Sequence, residues 1–74
     1  MGTFPETLKI CRKRRHLSQE VVAVHCGIAH STYRRYETGE REPSLSVFCT
    51  FADYFGVTLD QLAGRVPLPE EAQN

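Results

Sequence analysis

The densest run of hydrogen-bonding side chains in the 74-residue sequence lies between residues 30 and 38, HSTYRRYET. At about 100° per residue on a helix, His30, Ser31, Arg34, Arg35 and Thr38 fall on one continuous arc, and Ala29, Tyr33 and Tyr36 fall on the other side. An arginine guanidinium is a rigid fork of donors that matches the two acceptors on a guanine edge or a phosphate, while His, Ser and Thr carry short groups that act only at close range. His30, Ser31, Arg34 and Arg35 are therefore candidates for reading base edges, and Thr38 for holding a phosphate. Two residues outside the run fit the same chemistry. Gln19 stands at the first position of a helical pattern, where its side chain and the unpaired backbone amides beside it can grip an anion. Arg41, in a short polar loop, is a second candidate phosphate clamp. A solvated helix face can have the same composition as this arc, so the elements around it must decide between the two.

Those elements are marked by capping residues. Ser18 is an N-cap type, a helical pattern runs from it to Cys26, and Gly27 breaks the pattern. A second pattern starts at His30 and ends at Thr38 before Gly39, the residue type that most readily takes the left-handed conformation closing a helix. Two short helices joined by a tight glycine-containing turn form a helix-turn-helix unit, whose second helix is the one that enters a major groove. Ahead of this unit, Phe4, Leu8 and Cys11 recur with helical spacing and predict a first helix over residues 5 to 15, with Pro5 in its first turn. After it, Ser44 caps a helix with the apolar stripe Leu45, Phe48, Phe51, Ala52 and Phe55. Gly56 ends that helix. Thr58 and Gln61 have the capping-box spacing for a short fifth helix carrying Leu59 and Leu62, which Gly64 ends. The expected architecture is all-α: a compact five-helix domain over residues 1 to 65. Residues 66 to 74 contain two prolines and no periodicity, and disorder is expected there.

The stretch SQEVVAVHCGIAHSTYRRYETG, residues 18 to 39, resembles the helix-turn-helix of the lambda-repressor/Cro family, also called the Xre family. In that family Gln opens the first helix of the unit, a small residue follows four positions later and Gly four after that; Gln19, Ala23 and Gly27 occupy these places. A small residue is needed at Ala23 because the two helices cross there. Tyr36-Glu37-Thr38-Gly39 and Pro43-Ser44-Leu45 resemble the pattern at the end of the family's second helix and the loop after it, and the likeness covers about residues 4 to 64. The sequence departs from the pattern at Ala29, where a Ser or Thr cap is usual, at Tyr33, where an aliphatic is usual, and at His16, where Gly is common. The resemblance implies a lambda-repressor-like fold, binding of double-stranded DNA at a palindromic site and regulation of transcription, with repression expected. It also implies an ion pair between Arg12 and Glu37, and pairing of two copies through the region between the fourth and fifth helices, where Tyr54, Val57 and Leu59 stand; the apolar patch there is small, so a weak homodimer is expected.

Composition bounds these expectations. The formal net charge is zero, which at first opposes nucleic-acid binding. The charge is polarised, however: residues 1 to 41 carry eight Lys and Arg against four Glu, and residues 42 to 74 carry one Arg against five acids. Local field governs how a surface meets phosphates, and the basic half contains the motif. Cys11, Cys26 and Cys49 are odd in number and include no C-x-x-C pair, which argues against a disulfide framework or a metal site, and no cofactor is expected. No catalytic triad, pair of carboxylates or phosphate-cradling glycine loop occurs, so an enzyme is the least favoured class. The longest apolar run is far short of a membrane span, and Pro5 and Glu6 interrupt any leader-like stretch, so a cytoplasmic location is expected. Val21 and Val24 project outward on the second helix. Together with the proline-containing tail they leave open a rival reading, an antitoxin or adaptor of the same fold that acts through a protein partner.

Overall fold

Phe51 is fully buried, and three other aromatic side chains converge on it. Phe4 stacks on it at 6.4 Å between ring centroids, while Tyr33 and Tyr36 meet it edge-on at 5.7 and 5.8 Å. Such pairs add about 0.5 to 1.5 kcal/mol each beyond the area they bury. In the computed structural model, which describes residues 2 to 70, these rings tie together three of five helices: α1 (Phe4–Arg14), α2 (Gln19–Cys26), α3 (His30–Thr38), α4 (Leu45–Phe55) and α5 (Leu59–Ala63). Among the described residues every regular element is a helix, and no helix is long and apolar enough to cross a membrane. Helix α1 packs on α3 and α5, and α2 packs on α3. Leu8, Val22 and Leu62 fill the space around the aromatic cluster with no exposure, and Ala23 is buried beside them.

Local chemistry sets the helix ends. The side chains of Ser18, Ser44 and Thr58 accept hydrogen bonds from the amides of Val21, Val47 and Gln61 at 3.1, 3.3 and 3.0 Å. Each cap of this kind contributes about 1 kcal/mol. Thr3 caps α1 reciprocally with Glu6, so that helix starts one residue earlier than the apolar stripe predicts and ends at Arg14 rather than at residue 15. Gly27, Gly39, Gly56 and Gly64 close α2 to α5 in the left-handed conformation. At the end of α1 that geometry falls instead on His16, with φ 58°. A non-glycine residue tolerates this region at a cost, because its Cβ crowds the following carbonyl.

Two details differ from the sequence reading. Leu45, placed on the apolar stripe of α4, is 73% exposed, because it sits at the first position of the helix, before the axis has reached the core. Ala29, placed on the anchoring side of α3, is its exposed N-cap and offers no side-chain cap. Residues 66 to 70, where the composition predicts disorder, contain no helix or strand. Leu68 packs against the core, and Arg14 Nη1 donates to Pro69 O at 2.8 Å. The rest of that expectation, residues 71 to 74, lies outside the described residues. Cys11 is buried, and Cys26 and Cys49 are half-buried. Burial pushes the Cys11 and Cys26 thiols up, away from the reactive thiolate.

Candidate nucleic-acid interface

Helix α3 keeps the two faces expected of it. Tyr33, Tyr36 and Glu37 are buried, and His30, Ser31, Arg34, Arg35 and Thr38 are all exposed. At 100° per residue the exposed five span an arc of about 140°, with Arg34 toward one side and Arg35 at the opposite edge. Arg35 also shapes the loop after α3. Its carbonyl accepts from the amides of Gly39 and Glu40, the latter at 3.0 Å, and lies 3.4 Å from the amide of Arg41, folding the loop back over the end of the helix. Arg41, also exposed, thereby joins the same end of the helix as Arg35. Thr38 is more engaged than its exposure suggests. Its hydroxyl proton has two acceptors in reach, Glu40 Oε1 at 2.8 Å and Arg35 O at 3.1 Å, so a phosphate there would compete with a carboxylate.

One buried carboxylate anchors the arc from behind. Glu37, with a side chain 1% exposed, receives Arg12 Nε at 2.7 Å and Arg12 Nη2 at 3.1 Å, a bidentate pair between α1 and α3. Tyr33 OH donates to it at 2.6 Å from one turn earlier in α3, and Gln19 Nε2 donates at 2.9 Å from the first position of α2. The remaining arm of Arg12 reaches Leu17 O at 2.9 Å and so pins the turn between α1 and α2. Burial alone would raise the Glu37 pKa; the bonds from Arg12, Tyr33 and Gln19 outweigh it and hold the group below the usual carboxylate range. The same bond to Glu37 pushes Arg12 up, and burial together with Glu37 pushes the Tyr33 phenol far up, so each remains a donor at neutral pH.

Two of these four bonds are absent from the sequence reading. Tyr33 is there a member of the apolar side, although its spacing of four from Glu37 places a phenol and a carboxylate on neighbouring turns. Gln19 is there a phosphate ligand alone. The structure gives one of its amide hydrogens to Glu37.

The residues considered for contact between copies are spread differently. Tyr54 and Val57 are half-buried and lean on the core, whereas Leu59 is 44% exposed. Tyr54 is further held by His25 Nδ1, 2.7 Å from its hydroxyl, and by Arg15, which donates to its carbonyl at 2.9 Å and lies over its ring. Val21 and Val24 are exposed on α2, the latter by 70%.

The likeness of this arrangement to known proteins is specific. The helix-turn-helix domain family pattern matches residues 4 to 64. The chain is 46% identical over 54 residues to the HTH-type transcriptional regulator AnsR of Bacillus subtilis, covering 73% of this chain and 47% of that protein. It is 34% identical over 59 residues to the cryptic phage CTXphi transcriptional repressor RstR of Vibrio cholerae, covering 80% and 53%. It thus spans about half the length of these relatives. A crystal structure of a transcriptional regulator from Listeria innocua superposes with a TM-score of 0.80 at 26% identity, covering 97% of this chain and 65% of that one. The buried Tyr33–Tyr36–Glu37 face, the exposed polar arc and the matched residues 4 to 64 agree: this chain belongs to the helix-turn-helix domain family.

Proposed function

We propose that the chain binds double-stranded DNA sequence-specifically, with α3 in the major groove, and regulates transcription as a repressor in the cytoplasm. The observation that carries this reading is the exposed arc of His30, Ser31, Arg34 and Arg35 on a short helix whose opposite face is locked into the core. Rigid backing matters because base readout needs donors held within hydrogen-bond distance of fixed acceptors. Arg34 and Arg35 are the principal readers, His30 and Ser31 read at closer range, and Gln19, Thr38 and Arg41 hold phosphates. The relatives' names, transcriptional regulator and transcriptional repressor, support the same reading.

One such helix touches too few base pairs to single out a site among many competitors, so two copies on a two-fold axis should read a palindrome with half-sites roughly 34 Å apart. Tyr54, Val57 and Leu59 are the surface proposed for that pairing, and the free dimer should be weak. The test is Arg35→Ala on a duplex selected for binding. Affinity for that duplex should fall by about 1 to 3 kcal/mol, with preference lost at one base position. Equal weakening on selected and random DNA would make Arg35 a phosphate contact instead.

A further inference from the structure

Gln19 is held from inside the protein before any ligand arrives. Its side chain is half-buried, its Nε2 donates to Glu37 Oε1 at 2.9 Å, and the Glu37 carboxylate is itself fixed by both arms of Arg12 and by Tyr33 OH. A primary amide nitrogen carries two hydrogens. With one committed to Glu37, the amide plane is set and the second hydrogen has a defined direction. We propose that Glu37 and Tyr33 are positioning residues for DNA binding: they preset the Gln19 amide so that its free hydrogen and the first backbone amides of α2 meet one phosphate together. The inference rests on the DNA-binding reading above.

Three features of the arrangement support it. The four donors to Glu37 come from α1, α2 and α3, so one carboxylate fixes the start of α2 against the body of the reading helix. Among the described residues no buried side-chain nitrogen or oxygen lacks a partner, so the network around Glu37 is complete within the protein. Tyr33 has no need of a hydroxyl to fill its place against Phe51, since an aromatic ring alone packs edge-on there. What the hydroxyl adds is the 2.6 Å bond to Glu37 Oε2, which stops the carboxylate turning away from its two-sided geometry. An interfacial side chain that must be immobilised on binding weakens affinity, and one already immobilised does not.

The test is a double-mutant cycle on binding to a mixed-sequence DNA duplex, because a phosphate contact carries no base information. Tyr33→Phe keeps the ring and removes only the hydroxyl. With Gln19 present it should weaken binding about two- to tenfold, the range for immobilising one such side chain. In a Gln19→Ala background the same substitution should leave affinity unchanged. Any purely structural effect would lower the melting temperature in both backgrounds alike, and would not move affinity in folded protein. Glu37→Gln should behave as Tyr33→Phe does, more strongly; if it fails to fold, the phenylalanine variant carries the test alone. In the free protein, hydrogen exchange of the Gln19 side-chain amide should show one protected hydrogen, and Tyr33→Phe should speed its exchange. Equal weakening by Tyr33→Phe in both backgrounds, or none in either, overturns the proposal, as does Gln19→Ala with unchanged affinity; wild-type protein that binds no duplex overturns the DNA-binding reading itself.

Discussion

Removing Arg12 should do more than weaken the fold: it should reverse the sign with which acid acts on it. In Arg12→Ala the Glu37 carboxylate loses its bidentate partner and keeps only Tyr33 OH and Gln19 Nε2, in a site where its side chain is 1% exposed. Breaking a buried ion pair from one side costs about 3 to 5 kcal/mol, because an uncompensated charge stays behind. A chain of this length has about 4 to 11 kcal/mol of stability in all. The variant should therefore be marginal at pH 7 and still measurable in the cold. In the wild type, Glu37 is held below its ordinary pKa, so its contribution is complete above about pH 4.5 and fades as pH falls through the folded value. In the variant, burial prevails and raises the pKa, so the folded state takes up a proton before the unfolded one does. Acidification from pH 7 toward pH 5 should then recover part of the lost stability. Urea denaturation of both proteins at pH 7 and pH 5, followed by circular dichroism, gives the difference directly, and the other carboxylates cancel between them. A loss below about 1 kcal/mol, the value for an exposed pair, or a stability gap that does not narrow at pH 5, would refute this account of Glu37.

Other consequences can be checked on the same footing. His16→Gly should stabilise the fold by about 0.5 kcal/mol, since relief of the left-handed strain at φ 58° exceeds the entropy a glycine adds to the unfolded chain; a lower melting temperature would contradict that. Gly64→Ala should cost about 2 kcal/mol or more, because a Cβ there would lie 2.3 Å from Gly2 O as well as at φ +83°, whereas Gly27→Ala at φ +73° has open space and should cost about 1. If the two alanine variants melt together, the packing of the N-terminal segment over Gly64 contributes nothing. Arg41→Ala should reduce the slope of log affinity against log salt by about one for every duplex, and an unchanged slope removes it from the interface.

How much of the fold and of the interface is legible in the sequence depends on the range of the interaction. The starts of α2, α4 and α5 and the C-terminal ends of α2 to α5 are legible because Ser18, Ser44, Thr58 and the four glycines act within one turn of themselves. The buried Tyr33 and Tyr36 follow from the helical period, and the family pattern supplies Arg12 with Glu37. Leu45 misleads because periodicity assigns a face and says nothing of where along its axis a helix meets the core. The bond from Arg14 to Pro69 O joins residues 55 positions apart, and no local signal announces such a contact. The phosphate role proposed for Gln19 rests on its helix position, but its bond to Glu37 exists only once α2 and α3 are folded against each other.

The central claim is that α3 faces the DNA, and a nuclear magnetic resonance titration of the isotopically labelled protein with a duplex selected for tight binding tests it most directly. The amide and side-chain shifts should concentrate on residues 30 to 38, with Gln19 and Arg41 at the margins, while the core around Phe51 stays still. Shifts centred on α5 and residues 65 to 70, with His30, Ser31, Arg34 and Arg35 unmoved, would contradict it.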